Sequence, residues 1–393
     1  MSTSYLDAKA AAERLGVTRA TLYAYVSRGV IRSRVEPGRR SRQYYAEDVE
    51  RWLKQQSGRR DPGRIAEQAL FADGLPVLSS SLSLIDAGKL YYRGQEVIAL
   101  SRERSFEEVI GLLWGGDYQP PSDVYLPSAA EQKRGSRLHF AAACQCWLAQ
   151  AEARDLGAYN LNPEAVRRTG ARIVAGLSAL GTGASAAPRS LATALGRAWG
   201  VKGRPGVRAL EATLIICADH ELNVSAFSAR AIASAGATPY MAVSGALAAL
   251  TGFRHGGHLE RVAALLDESG EPAWVIAERL RRGQGVPGFG HILYPDGDPR
   301  GRALLELCPK NAARARAQGF VEAARSLLGA EPTLDLGLIA LARSLGLPAS
   351  AAFKLFALGR SAGWLAHCIE QYATGELIRP RARYVGPPPA APS

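Results

Sequence analysis

Six histidines occur in the 393 residues, and four of them fall in three short stretches with glycine or charged neighbours. "CADHELNVSAFSARAIASAG" places His220 between Asp219 and Glu221, inside a helical pattern. "GFRHGGHLERV" places His255 ahead of two glycines, with a helix to follow. "FGHILYPDGDPRG" holds His291 and Arg300 in a stretch whose glycines and prolines exclude regular helix or strand. A histidine at a helix N-terminus feels the positive end of the dipole, which favours neutral imidazole. Such a ring can donate a hydrogen bond to an oxygen that gains negative charge during a reaction.

Three further segments put charge where apolar helix is expected. "EPTLDLGLIALARSLGLP" opens on Asp335, which reads as a helix cap or as a charge kept for chemistry. "FALGRSAGWLAHCIEQ" sets Arg360 among Ala, Gly and Trp, and "LIRPRARYVGP" ends the fold with Arg379, Arg381 and Arg383. Each guanidinium can bind one carboxylate bidentately, so several separated arginines suit a ligand with several carboxylates. The same stretches argue against a metal. "HGGH" and "DHE" lack the two-histidine helical spacing of a zinc site, and no thiolate cluster accompanies them.

The elements that must position these residues are mostly helices. Ser105–Trp114, Ser136–Ala153, Pro163–Leu180 and Thr238–Leu250 carry Ala- and Leu-rich helical periodicity, and no strand–helix alternation is present. The one clear β signal in this region is "SSLSLIDAGKLYYRGQEV", which alternates, turns at Asp86-Ala87-Gly88 and resumes at Lys89–Arg93. The body therefore reads as mainly α with a small hairpin at its start. The tail "GPPPAAPS" reads as disordered over 387–393.

A separate module precedes the body. The chain carries a net charge of +12, and residues 1–60 hold 13 Lys and Arg against 6 Asp and Glu. Over half of the excess thus lies in under a sixth of the chain, the mark of a polyanion-binding module. Two short helices break at Gly16, with Thr18 placed to cap the second. Ala11, Leu15, Val17, Leu22 and Val26 form their apolar seam, and a hairpin around Pro37-Gly38 carries Arg32, Arg34, Arg39, Arg40 and Arg42. Val49, Trp52 and Leu53 share one face of a closing helix, and "KQQSGRRDPGR" then reads as linker. The signatures "GVTRATLYAYVSRG" and "SRQYYAEDVERWL" resemble the winged helix–turn–helix of the MerR and excisionase type. That resemblance implies base or phosphate contacts by Arg19, Thr21, Tyr23 and Arg28 on the second helix and by Arg39, Arg40 and Arg42 on the wing.

No apolar run approaches the roughly 20 residues of a membrane span, and the N-terminus has no secretion-signal pattern. Five scattered cysteines read as buried reduced thiols, which fits a cytoplasmic protein.

The body as a whole is similar to the citrate synthase family. The motifs that carry the likeness are "SSLSLIDAGKLYYRGQEV", "ADHELNVSAFSAR", "GFRHGGHLE", "VPGFGHILYPDGDPRG", "GRSAGWLAHCIEQ" and "LIRPRARYVG", in order and spacing, over about residues 70 to 386. The resemblance implies a helical homodimer whose large and small domains close on substrate. Here it implies a winged helix–turn–helix over 1–56, a linker over 57–66, a large domain over 67–250 with 346–386, and a small domain over 251–345. It also implies condensation of acetyl-CoA or another short acyl-CoA with oxaloacetate, then thioester hydrolysis. No tightly bound cofactor is implied, acyl-CoA being a co-substrate. Asp335 matches the residue that takes the acyl proton, His255 the donor to the thioester oxygen and His291 the donor to the ketone. His220, Arg300 and Arg360 match the residues that hold oxaloacetate, and Arg379 the arginine supplied across the dimer interface. Ile292 and Pro295 stand where many members carry a basic residue for CoA phosphates, and Thr333 stands for the usual Asn. Two other functions share these residues: 2-methylcitrate or citryl-CoA chemistry, and a DNA-binding regulator that uses the body as a metabolite sensor.

Overall fold

The two N-terminal apolar runs become two short helices in the computed structural model, which describes residues 5–15, 17–27, 31–35, 42–49, 78–380, 382 and 384–387. The chain divides into two compact units, Met1–Ser79 with Arg379–Ser393, and Ser80–Ile378.

In the first unit, β1 (Tyr5–Leu6), α1 (Ala8–Leu15), α2 (Arg19–Ser27), β2 (Ser33–Val35) and β3 (Arg42–Tyr45) follow in order. β3 pairs antiparallel with both β1 and β2, so the hairpin gains a third strand that periodicity alone does not announce. The Thr21 N–H donates to Thr18 Oγ1 at 3.2 Å, which is the expected cap of α2. Ala11, Leu15 and Leu22 are buried with Ile31, Tyr44 and Val49, and Val17 and Val26 pack against them.

Two hairpin arginines are not free cations. Arg32 bonds Asp48 and Glu47, while Arg34 bonds Gln43 and stacks 3.5 Å from the Tyr5 ring centroid. Both close the small core instead. The turn around Pro37-Gly38, Trp52, Leu53, the linker and residues 388–393 lie outside the described residues.

The second unit begins with β4 (Ser83–Asp86), β5 (Lys89–Tyr92) and β6 (Gln95–Glu96), an antiparallel meander. Ala87 and Gly88 make its first turn at φ 47° and 73°. Fifteen helices follow: α3 (Val97–Glu103), α4 (Phe106–Trp114), α5 (Ala129–Gly135), α6 (Phe140–Glu152), α7 (Pro163–Thr182), α8 (Leu191–Ala198), α9 (Gly203–Cys217) and α10 (Val224–Ser234). The chain continues with α11 (Pro239–Leu250), α12 (His258–Asp267), α13 (Pro272–Arg281), α14 (Pro299–Leu307), α15 (Ala312–Leu328), α16 (Leu334–Ser344) and α17 (Ala351–Thr374). Local chemistry sets their ends. Ser105 and Glu108 form a capping box at α4, and Thr238 caps α11 ahead of Pro239.

α17 is buried along most of its 24 residues and packs on α4, α7, α9, α10, α11 and α16. Its glycines let it approach α9 closely: a Cβ on Gly359 would stand 2.6 Å from Leu214 O. Arg360 is therefore carried deep into the unit. Of the five cysteines, Cys144, Cys217, Cys308 and Cys368 are buried, but Cys146 is exposed on α6, against expectation. Among the described residues, no helix is long and apolar enough to cross a membrane.

Candidate active site

His220 departs from the expected helical pattern and lies in the break between α9 and α10. The break is imposed from elsewhere in the chain. The Ile85 N–H on β4 donates to Glu221 Oε1 at 2.9 Å, and the Asp219 N–H donates to the Tyr92 hydroxyl at 2.9 Å. Glu221 adopts φ 50°, and Asn223 caps α10 through the N–H groups of Ser225 and Ala226. The hairpin thus fixes the segment that presents His220, whose Nε2 lies 3.0 Å from the Tyr294 hydroxyl.

The stretch around His291 is shaped by pairing with the approach to α16. The Gly290 N–H donates to Glu331 O and the Thr333 N–H to Gly288 O, each at 2.9 Å. Gly288 and Gly290 take φ 90° and 73°, which side chains avoid. His291 Nδ1 accepts the Leu293 N–H at 3.1 Å. A backbone N–H can only donate, so the neutral ring carries its hydrogen on Nε2 and offers it as a donor.

Asp298 joins the two ends of this region. Its carboxylate receives Arg300 Nε and one terminal Arg300 nitrogen at 2.9 Å each, and the Leu334 N–H at 3.0 Å. One acid thereby orients Arg300 at the start of α14 and fixes the start of α16, where Asp335 stands. Gly301 is needed for this approach, since a Cβ there would stand 2.3 Å from Thr333 O.

His255 is held through Ser225, whose Oγ lies 2.8 Å from Nε2. Trp364 Nε1, which can only donate, gives its hydrogen to the same Oγ at 3.1 Å. The Ser225 hydroxyl donates to Asn223 Oδ1, an atom that can only accept, at 2.7 Å.

These residues meet in one cavity of about 450 Å³. His220, His255, His291, Arg300, Asp335 and Arg360 line it, with Phe289 and Phe356 among its apolar walls and Phe253, Arg254, His258 and Arg261 also in the lining. Arg300 and Arg360 are 3% and 1% exposed, so their charges are held away from water. Burial works against the Arg300 charge, but Asp298 outweighs it and holds its proton affinity above the ordinary value. Burial lowers that of Arg360, with Asp219 as the largest opposing influence.

Burial also drives all three histidines toward the neutral form. His220 lies well below its ordinary value, helped by Arg300 and Arg360. His255 is pushed down to about 3, with Arg360 adding to burial, and His291 is lowered by burial and then Arg300. Asp335 moves the other way. Burial raises it to about 6, although Arg300 and Arg360 pull it down. The cavity therefore offers neutral N–H donors, fixed cations and one carboxyl that changes charge near neutrality.

Comparison with known proteins places this arrangement. A family described as "Citrate synthase, C-terminal domain" matches residues 172–381, and a "Helix-turn-helix domain" matches residues 5–57. The citrate synthase of Haloferax volcanii is 31% identical over 361 residues, which cover 80% of this chain and 94% of that one. The chain belongs to the citrate synthase family. A 2-methylcitrate synthase of Corynebacterium glutamicum is 29% identical, over 77% of this chain and 90% of its own. The crystal structure of the Thermotoga maritima citrate synthase, at 28% identity, superposes with a TM-score of 0.67 over 81% of this chain and 96% of that one. The mainly helical fold expected from the resemblance is the fold observed, and family membership makes the chain a citrate synthase-like transferase.

Six of the seven residues expected to handle substrate converge on the cavity. Arg379 does not line it and is exposed on the segment after α17. In the first unit, Tyr23 is 52% exposed and Arg42 is exposed on β3, while Thr21 is partly buried and bonded to Thr18. Arg19 opens α2, and Arg28, Arg39 and Arg40 lie outside the described residues. Tyr294, Asp298, Ser225 and Trp364 are supporting residues that motif spacing does not reveal. The Asp-Pro-Arg step of residues 298–300 was the one local signal, since an acid two residues before an arginine can grip it. Among the described residues, no group of three or more His, Cys, Asp and Glu could hold a metal ion.

Proposed function

We propose that the chain condenses acetyl-CoA, or another short acyl-CoA, with oxaloacetate and hydrolyses the product to citrate and CoA. One observation carries this reading: three neutral histidines, two buried arginines and one carboxyl poised near pH 6 share a single cavity. Arg300 and Arg360 bind the carboxylates of oxaloacetate, with His220 beside them. Asp335 takes a proton from the acyl carbon next to the thioester carbonyl. His255 donates a hydrogen bond to the carbonyl oxygen as the enol forms. The enol carbon then attacks the ketone of oxaloacetate, whose oxygen receives a hydrogen bond from His291 Nε2. Water cleaves the resulting thioester and the CoA thiol leaves. Arg254 and Arg261 supply cationic groups at this cavity for the phosphates of CoA, a role that Ile292 and Pro295 cannot fill. No metal or redox group enters any step.

The assay is thiol release from acetyl-CoA and propionyl-CoA, with and without oxaloacetate. Release that requires oxaloacetate, and is lost in Asp335→Asn, is the expected result. Absence of oxaloacetate-dependent release from both thioesters sinks the reading. The likeness to a 2-methylcitrate synthase is the reason to include propionyl-CoA.

The helix–turn–helix match favours a second role beside the first. In this role the chain is a cytoplasmic homodimer, with a large domain over 67–250 and 346–386 and a small one over 251–345. Arg379 reaches the partner's cavity, and two N-terminal modules bind a two-fold symmetric DNA site. Electrophoretic mobility shift at several salt concentrations tests it. DNA affinity that stays unchanged when Arg39, Arg40 and Arg42 all become Ala rules it out.

A further inference from the structure

Arg300 and Arg360 line the same cavity but are supported in opposite ways. Arg300 is gripped bidentately by Asp298 at 2.9 Å. Arg360 has no carboxylate within 4 Å among the described residues, and its Nε donates to Cys217 O at 2.7 Å. A buried guanidinium without a nearby counter-charge is costly, so something must balance it. Asp219 does so from a distance, as the largest influence that opposes the effect of burial on Arg360.

Asp219 is engaged instead by a second residue on the same helix. Residues 360, 363 and 367 share one face of α17. His367, wholly buried, places Nε2 3.2 Å from Asp219 Oδ1. Ser83 on β4 donates to Oδ2. The Asp219 N–H meets the Tyr92 hydroxyl at 2.9 Å. Gly363 leaves the room, because a Cβ there would stand 2.6 Å from Oδ1. Asp219 is thus held against Gly363 by three elements at once.

We infer that Asp219, clamped by His367 and Ser83, is a positioning carboxylate that leaves the Arg360 guanidinium free to take a substrate carboxylate. Without His367, Asp219 loses its partner at Oδ1, and the Arg360 guanidinium turns from the cavity to the acid. The inference rests on the proposed reaction only in assigning a dicarboxylate to Arg360.

The test is calorimetric binding of oxaloacetate to the full chain, wild type against His367→Gln, with the KM for acetyl-CoA measured in parallel. Loss of about one charge-assisted hydrogen bond predicts oxaloacetate affinity about 10- to 100-fold weaker, with the acetyl-CoA KM unchanged. A merely structural role would lower the folded fraction, and so kcat, without moving the affinity of the folded protein for one substrate. Unchanged oxaloacetate affinity in folded His367→Gln overturns the inference. If that variant does not fold, Ser83→Ala decides, with a several-fold loss of oxaloacetate affinity supporting the clamp and no loss overturning it. A wild-type chain that binds no oxaloacetate would sink the proposed reaction and this inference together, an outcome distinct from equal binding by wild type and variant.

Discussion

Replacing Asp335 by Asn should stabilise the protein while stopping the reaction, and the two effects should separate with pH. Burial raises the Asp335 carboxyl from 3.8 to about 6 in the folded chain, against the pull of Arg300 and Arg360. At about 1.4 kcal/mol for each tenfold change in proton affinity, the ionised carboxylate costs the fold about 3 kcal/mol. The folded state holds this proton more tightly than the unfolded state does. The cost is therefore full above about pH 7, shrinks as pH falls through 6 toward 4, and is absent below. Asn carries no such charge. Urea unfolding followed by tryptophan fluorescence should give Asp335→Asn a gain of about 3 kcal/mol at pH 7.5, falling to about 1 kcal/mol at pH 4.5.

The sign of that result separates two readings of the residue. An acid in the first turn of α16 that served only the helix dipole would stabilise the fold when ionised. Its loss would then cost up to about 1 kcal/mol at pH 7.5, the opposite direction. Destabilisation at pH 7.5, or a gain that does not shrink at pH 4.5, refutes the argument. The wild-type rate supplies a second check. A base must be ionised to accept a proton, so kcat/KM should fall about tenfold for each pH unit below about 6.

Ser225→Ala removes the hydroxyl that holds the His255 ring in place. It should lower kcat about 10-fold or more, up to the hundredfold typical of losing an oxyanion donor, with the oxaloacetate KM unchanged; a change in that KM alone would contradict the assignment. Arg254→Ala and Arg261→Ala should each raise the acetyl-CoA KM about two- to tenfold and leave that of acetyl-pantetheine, which lacks the nucleotide phosphates, unchanged. Equal effects on both thioesters would remove these arginines from a phosphate role. Thr333 Oγ1 is buried without a hydrogen-bond partner, so Thr333→Val should stabilise by about 1 kcal/mol in the same urea assay. A lower midpoint would show that the hydroxyl has a partner in solution.

What could be read from the sequence was what local chemistry decides. Glycine and proline around His291, a carboxyl opening an apolar helix at Asp335, and an arginine inside apolar α17 each stand out without knowledge of their neighbours. His220 did not yield to the same reasoning. Its neighbours favour helix, and the break comes from Ile85 and Tyr92, more than 120 residues away in the chain. Ser225 and Asp298 were hidden for a related reason: each looks like an ordinary cap, and its bond to His255 or to the Leu334 N–H exists only once helices have met. Counting charge misled at the hairpin. Arg32 and Arg34 add to the basic total, yet Asp48, Gln43 and Tyr5 consume them.

Charge also decides which group does which work in the proposed reaction. Arg300 and Arg360 make the cavity a positive field, and together with burial it strips the histidines of their protons near neutral pH. They act as donors because their surroundings will not let them be acids. The same two arginines restrain Asp335, and burial wins only in part. A dicarboxylate seated on both guanidinium groups removes that restraint. Asp335 then rises further, becoming a stronger base once oxaloacetate is in place. The acyl proton is thus taken most readily when the ketone that must receive the enol carbon is already bound. On this account, the pH at which kcat begins to fall should lie above the corresponding pH for oxaloacetate kcat/KM, because only the former reports the complex with both substrates bound. The reverse order would mean that oxaloacetate does not meet Arg300 and Arg360 together.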